Sequence, residues 1–382
     1  MPFYLSRFRE WVPPCTYEQE KLIGWLASAH AHAESKAGGF ASGKREGTFR
    51  EQMEHAFRRY GATGDEIRSR ASVLRDFGDE EWRFHRLFTG LVPSMEDRMD
   101  VFGEAADQAL GSMLGSADTP PDDLVHVTST GYLSPSPAQR LAELRGWQSR
   151  IRITHAYQMD CYAAFSAIRI ASGFASAGGE NSRTTVAHTE FCTLHFQPLR
   201  HSADQMFVQS MFADGVAAYD VTSRKPDGPS LEVVAMLEEI IPGTLPLMVW
   251  APADGGMTIS LAREVPAAIR EILAGWFGRL AAKAGMAPEA ILREALFTLH
   301  PGGNRILSVA EKALDIRPER MSHIRRVFET RGDMSSASLP ISWLRLLSDP
   351  SVADGTPVVA AAFGPGLTAS GAVFIVRKEE FR

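Results

Sequence analysis

Leu296-Phe297-Thr298-Leu299-His300-Pro301-Gly302-Gly303-Asn304-Arg305-Ile306 reads as a strand, a sharp turn and the start of a helix. The apolar run over 295–299 has the length of a buried strand. Pro301-Gly302-Gly303 breaks it, and helical spacing resumes over 303–315. The same grammar continues outward. Strands are expected over 231–239, 257–262, 356–363 and 371–377, with helices over 264–284 and 336–348. Upstream, Leu124–Ser129, 151–154, 183–194 and 214–221 read as strands, and Pro137–Ser149 as a helix. The first segment, to about residue 118, reads as mostly helical, over Gln19–Ala33, 47–60, 65–76 and Asp97–Leu114, with a loop at Ser116–Pro121. Strands alternating with helices predict an α/β fold whose sheets are covered on both faces. Pro226–Pro229 is the clearest break and divides the chain into halves 1–225 and 226–382, similar in element order but not in sequence.

Of 382 residues, 40 are Lys or Arg and 46 Asp or Glu, a net charge of −6. With no long basic run, a nucleic-acid role is excluded. Hydrophobic residues at 45% and charged ones at 23% are the composition of a globular protein. No apolar run is long enough for a membrane helix, and Met1–Arg7 lacks a secretory signal, so the expected compartment is the cytoplasm. Cys15, Cys161 and Cys192 are too few and too scattered for a disulfide framework and show no CxxC spacing. His30 and His32 stand two apart on a helix and do not face each other, so no metal site is expected.

Cys161 lies between a strand-like Ile151-Arg152-Ile153-Thr154 and a helix-like stretch beginning at Ala163. A helix N-terminus favours the thiolate, the form that attacks a thioester; a buried inert cysteine is the alternative. Cys15, after two prolines in a loop, and Cys192, in a strand-like run, read as inert. His300, at its strand end, projects an imidazole into a cleft or packs structurally. Arg331-Gly332-Asp333-Met334-Ser335-Ser336 is a polar turn before a helix, either a cap or a site. Phe363-Gly364-Pro365-Gly366-Leu367-Thr368 joins two strands, as a plain hairpin or with amides turned to an oxyanion.

The order of these pieces carries more than each alone. A cysteine, His-Pro-Gly-Gly 139 residues on, Gly-Asp-Met-Ser-Ser 33 residues further and a terminal Gly-Pro-Gly resemble the type III polyketide synthases, the chalcone and stilbene synthase family. Ketoacyl synthase III shares the order less closely. Thr189-Glu190, Phe212-Ala213-Asp214-Gly215 and Val265-Pro266 extend the likeness along most of the chain. The resemblance implies a thiolase-like fold, a duplicated five-layer αβαβα architecture, and a homodimer. It implies no metal and no cofactor, with an acyl-CoA or acyl-carrier-protein thioester as substrate. Cys161 takes the acyl group, His300 supports the thiolate, and the Gly366 region supplies backbone amides to the oxyanion.

The chain departs from the family pattern at Asp160, usually Gly, and at Asp333, usually Asn. An Asn donates N–H to the enolate of a decarboxylated malonyl unit, whereas an ionised Asp only accepts. Two resolutions follow: a protonated Asp333 in a condensing enzyme, or a Cys161-His300-Asp333 triad that passes the acyl group to an alcohol or amine. A non-catalytic acyl-binding subunit is the third reading. By the same alignment Phe212, Ile259 and Cys192 line the acyl pocket, and Arg68 and Arg70 sit at the tunnel mouth for coenzyme A or phosphopantetheine phosphates. Condensation with a malonyl- or β-ketoacyl-derived carbon nucleophile, in secondary metabolism, is the first reading.

Overall fold

The computed structural model describes residues 2–40, 46–75, 77–78, 93–115, 119–253 and 255–378. The N-terminal half runs β1 (Phe3–Trp11), β2 (Cys15–Glu18), α1 (Gln19–Lys36), α2 (Glu46–Tyr60), β3 (Ser69–Ser72), α3 (Met95–Leu114) and β4 (Asp123–Thr128). It continues through α4 (Pro137–Leu144), β5 (Arg152–Tyr157), α5 (Ala163–Ala177), β6 (Arg183–Phe191), α6 (Ala203–Met211) and β7 (Asp214–Thr222). The C-terminal half runs β8 (Ser230–Ile240), β9 (Met248–Ala253), β10 (Gly256–Leu261), α7 (Val265–Lys283), α8 (Pro288–Glu294) and β11 (Leu296–Leu299). It closes with α9 (Asn304–Leu314), α10 (Ser322–Arg331), α11 (Ser338–Ser348), β12 (Pro357–Gly364) and β13 (Thr368–Arg377).

Nine strands form one sheet in the order β11-β12-β13-β8-β1-β7-β6-β4-β5. Its middle seam is the antiparallel pair β1–β8. On one side β4 and β6 are parallel while β6–β7 and β7–β1 are antiparallel. On the other, β11 and β12 are parallel while β12–β13 and β13–β8 are antiparallel. The two sides thus repeat one topology about the seam, which is the duplication expected from the element order. Helix α5 packs on β4, β6, β7 and β13, and α11 on β1, β7 and β11, so both touch strands from both sides. Every residue of β4 and β12 is buried, as strands covered on two faces require. The small residues of α5, Ala163, Ala164, Ser166 and Ala167, let it approach that closely.

Some expectations fail. The stretch 65–76 is no helix; its described part holds β3, paired antiparallel with β2. Residues 1–18 contain a central strand, β1, where no strand was expected. Helix α4 ends at Leu144, not Ser149, and β6 ends at Phe191, so Cys192 opens a helical turn rather than lying in a strand. Cys15 begins β2 rather than sitting in a loop. Residues 116–118 of the expected Ser116–Pro121 loop lie outside the described residues. No helix among the described residues is long and apolar enough to cross a membrane, and no cluster among them has the His, Cys, Asp and Glu to hold a metal.

Candidate active site

Three chain segments meet at the end of the sheet. After β5 the backbone turns through Gln158 at φ 60° and Asp160 at φ 51°, and the Asp160 amide donates to Ser129 Oγ at 2.8 Å. Left-handed geometry is costly for most residues but tolerated by Asp and Asn. The turn sets Cys161 in a short 3₁₀ segment just ahead of α5. His300 follows β11 and extends its ladder, donating its amide to Ala361 O at 2.8 Å. Asp333 lies between α10 and α11, pinned to the chain beyond α6: its amide donates to Met211 O at 2.9 Å and its carbonyl accepts from Ala213 N at 2.8 Å. Gly332, at φ 75°, makes this pairing possible, because a Cβ there would stand 2.8 Å from Met211 O.

Cys161, His300 and Asp333 line one cavity of about 720 Å³, so the structure brings the three expected catalytic residues together. His300 and Asp333 are 3% and 1% exposed. Asp333 Oδ1 accepts from Ser335 N at 2.8 Å and lies 3.4 Å from His300 Nε2, an ion-pair contact longer than a hydrogen bond. Neither ring nitrogen of His300 makes a hydrogen bond of full geometry among the described residues, although Cys161 and Asp333 both lie close enough to interact with the ring. Burial opposes charge on His300, yet the facing Cys161 and Asp333 hold it well above the ordinary imidazole range. Burial pushes the Cys161 thiol up, His300 pulls it down by charge and hydrogen bonding, and Asp333 and Asp160 push it up again. The net direction is upward for both groups. Beside them, burial lifts Asp160 to about 7 against the hydrogen bond from Ser129.

An apolar wall of Phe207, Met211, Phe212, Ile259, Ile306 and Phe363 makes up much of the rest, with Ser202, Asp204 and three arginines beside it. Phe212 and Ile259, expected to line an acyl pocket, both line this cavity. Cys192 does not line this cavity; it faces a second, smaller one of about 20 Å³ that shares Phe212 and Ile259 with the first. Gly366 is not among the residues lining either cavity. It turns the β12–β13 hairpin at φ 69°, and the hairpin residue that reaches the larger cavity is Phe363. Arg70 is 2% exposed and cannot meet a phosphate in solvent. Its Nε donates to Gln19 and its Nη1 to the carbonyls of Gln209 and Phe212. Arg68 is paired with Glu329 at 2.8 Å and does not line the cavity. The cations that do line it are the exposed Arg59, Arg263 and Arg305, which the sequence reading missed. Arg305 stands in the His-Pro-Gly-Gly stretch itself, the one signal that pointed to it.

The model of the chalcone and stilbene synthase N-terminal domain matches residues 89–225, and that of the C-terminal domain matches 232–377. A probable polyketide synthase 1 from Dictyostelium discoideum is 32% identical over 252 residues, 65% of this chain but 8% of that protein. A 1,3,6,8-tetrahydroxynaphthalene synthase from Streptomyces coelicolor is 29% identical over 284 residues, 72% of this chain and 74% of the relative. Among solved structures, the C-terminal type III polyketide synthase domain of Steely1, a type I/III hybrid from Dictyostelium, superposes with a TM-score of 0.81 at 25% identity. That match covers 98% of this chain and 99% of the domain. The Streptomyces coelicolor tetrahydroxynaphthalene synthase structure gives a TM-score of 0.79 at 22% identity over 98% and 100%.

Proposed function

This chain belongs to the chalcone and stilbene synthase family of condensing acyltransferases, with a thiolase-like fold, and on that premise we propose that it carries out polyketide condensation on Cys161. The observation that carries the reading is the convergence of Cys161, His300 and Asp333 on one large apolar cavity rimmed by arginines. The thiolate of Cys161 attacks the carbonyl of an acyl-CoA, the bond from that carbonyl to the CoA sulfur breaks, and CoA leaves as a thiolate that takes its proton from water. A malonyl thioester then loses its carboxylate as CO₂, and the resulting enolate carbon attacks the acyl-Cys161 carbonyl. A carbon–carbon bond forms and the Cys161 thiolate is released. The enolate oxygen is met by the His300 imidazolium, whose charge Asp333 maintains. Backbone amides beside Cys161 serve the tetrahedral oxyanion.

The alternative, direct transfer to an alcohol or amine through a Cys161-His300-Asp333 relay, needs thiol and carboxylate on opposite nitrogens of the ring. Asp333 approaches Nε2 at 3.4 Å and neither nitrogen makes a hydrogen bond of full geometry among the described residues, so the two opposed bonds of a relay are not in place, which favours condensation. We further read 1–225 and 226–382 as the two duplicated halves and the assembly as a homodimer. Strand β5 ends the sheet with one edge unpaired among the described strands, and Tyr132 and Leu144 of the same half are 41% and 81% exposed. The deciding experiment follows CO₂ release from malonyl-CoA by enzyme preloaded from an acyl-CoA panel, with Cys161→Ala as control. Release that requires both Cys161 and the acyl group supports condensation. An acyl-enzyme that forms without decarboxylation overturns it and returns the triad.

A further inference from the structure

The small cavity that shares Phe212 and Ile259 with the catalytic one mixes buried polar side chains with apolar ones such as Phe77, Phe196, Val208 and Met257. Arg70, Thr193, His195, Gln205 and Gln209 all contribute to it and all are buried. At about 20 Å³ it has room for about one water molecule or one substrate oxygen. Of its lining residues, only Phe212, Trp250 and Ile259 are less than buried, and Phe212 and Ile259 also line the catalytic cavity. The way in therefore leads through the acyl pocket.

Most polar groups around it are already engaged. His195 bonds Thr130 O at 2.9 Å through Nε2 and receives Met257 N at 3.1 Å on Nδ1. Thr193 donates to Asp214 at 2.6 Å. Asp214, the nearest acid to Arg70, takes its hydrogen bonds from Val73 and Thr193 instead. Arg70 is left with Nη2 unpartnered among the described residues and with no counter-ion in contact, although it is 2% exposed. Burial pulls its guanidinium down to about 9, so it remains charged at neutral pH. A buried cation with a free N–H beside a void favours an oxygen acceptor strongly.

We propose that this cavity is a subsite for an oxygen atom at the inner end of the acyl chain held on Cys161, with Arg70 Nη2 as its hydrogen-bond donor and Phe212 and Ile259 as the partition the chain passes. The inference rests on the acyl-Cys161 reading above. The shared chemistry is an oxygen acceptor, supplied either by a ketone along the chain or by a terminal carboxylate.

The experiment measures loading of Cys161 by intact-protein mass spectrometry. It uses the full chain and length-matched alkanoyl-, keto-alkanoyl- and ω-carboxyalkanoyl-CoA series. At the chain length that spans the partition, an oxygen-ended thioester should load about ten-fold faster than its alkanoyl match, a factor equivalent to roughly 1.4 kcal/mol. The faster arm identifies the oxygen as ketone or carboxylate. Arg70→Gln should bring the ratio to one. Because Arg70 also holds Phe212 O, Ile259→Phe provides a second variant, closing the passage and abolishing the preference without touching Arg70. A ratio of one at every length in the unaltered protein overturns the subsite, as does a preference that survives both substitutions. Failure of every thioester to label Cys161 overturns the acyl-enzyme reading and the subsite with it.

Discussion

Asp333 Oδ1 stands 3.4 Å from His300 Nε2, close enough to hold a proton on the ring and too far to absorb that N–H in a short hydrogen bond. A third oxygen can then take the imidazolium proton. Asparagine at this position would donate to that oxygen directly, but would lose the carboxylate that raises His300. Asp333→Asn should therefore increase malonyl decarboxylation by about ten-fold, as a repelling charge becomes a donor worth roughly 1–3 kcal/mol. The sign of the pH effect is fixed: His300 is raised in the folded enzyme, so activity is held at low pH and lost as pH rises through the His300 value. Removing Asp333 lowers that value and moves the alkaline limb to lower pH. CO₂ release against pH checks both; a slower rate with an unmoved limb would make Asp333 itself the proton donor.

Asp160 precedes the nucleophile at φ 51° and adds its charge to those pushing the thiol up. Asp160→Gly keeps the backbone turn, since glycine accepts positive φ without strain. Alkylation of Cys161 by iodoacetamide at neutral pH should become several-fold faster. Asp160→Leu, with a side chain poorly suited to that turn, should instead lower stability by about 1–2 kcal/mol. Equal alkylation rates in Asp160→Gly and the parent would mean that the carboxyl is already neutral there.

The convergence of the three candidate residues was legible because each sits at a junction that short-range sequence marks. Cys161 stands where a strand meets a small-residue helix, His300 before a Gly-Gly turn, and Asp333 after a glycine. What failed depended on partners far away in sequence. Strand β1 lies in a segment that read as mostly helical; in the fold its Arg9 meets Asp220 at 2.7 Å and its Glu10 meets Arg345. Arg70 read as a surface helix cation, yet it is a buried strand residue bonded to carbonyls at 209 and 212. No local pattern records a bond across 139 or 142 positions.

Glu190 is fully buried and accepts from Ser336 Oγ at 2.5 Å, Ser129 N at 3.0 Å and Thr130 Oγ1 at 3.1 Å. Burial lifts it from 4.5 to about 7, against those hydrogen bonds and with help from Asp160. A folded-state value above the unfolded one means that the native protein holds a proton the unfolded chain has released. Stability therefore falls as pH rises from about 4.5 to about 7. Glu190→Gln keeps an acceptor for Ser129 and Thr130 and a donor for Ser336, and removes this proton. Its denaturation midpoint should fall less over that window, by at most about 3 kcal/mol in free energy. Parallel stability–pH curves for the two proteins would assign the proton to another group.

Gly303 has φ 94°, and a Cβ there would stand 2.7 Å from Phe207 Cζ. Phe207 lines the catalytic cavity and Gly303 lies three residues after His300. Gly303→Ala should cost about 1–3 kcal/mol of stability through backbone strain and the displaced ring. Because the His300 turn moves with it, kcat should fall further than KM rises. Thermal melting and steady-state kinetics on the same preparation separate the two effects; an unchanged kcat would mean the strain is absorbed by Phe207 alone.

Arg59, Arg263 and Arg305 are exposed at the rim of a cavity whose interior is apolar, an arrangement suited to a thioester with a greasy acyl end and an anionic handle. If they bind the phosphates of coenzyme A, their contribution must appear in binding and not in chemistry. Arg305→Ala should raise KM for an acyl-CoA by about ten-fold, the value of one charge-assisted hydrogen bond near 1.4 kcal/mol, with kcat unchanged. The same substitution should leave KM for the matching acyl-pantetheine, which has no nucleotide phosphates, where it was. Added salt should weaken acyl-CoA binding in the parent more than in the variant, since the lost contact is the screened one. An equal rise in KM for both thioesters would place Arg305 against the acyl or pantetheine arm and leave the phosphates to other residues.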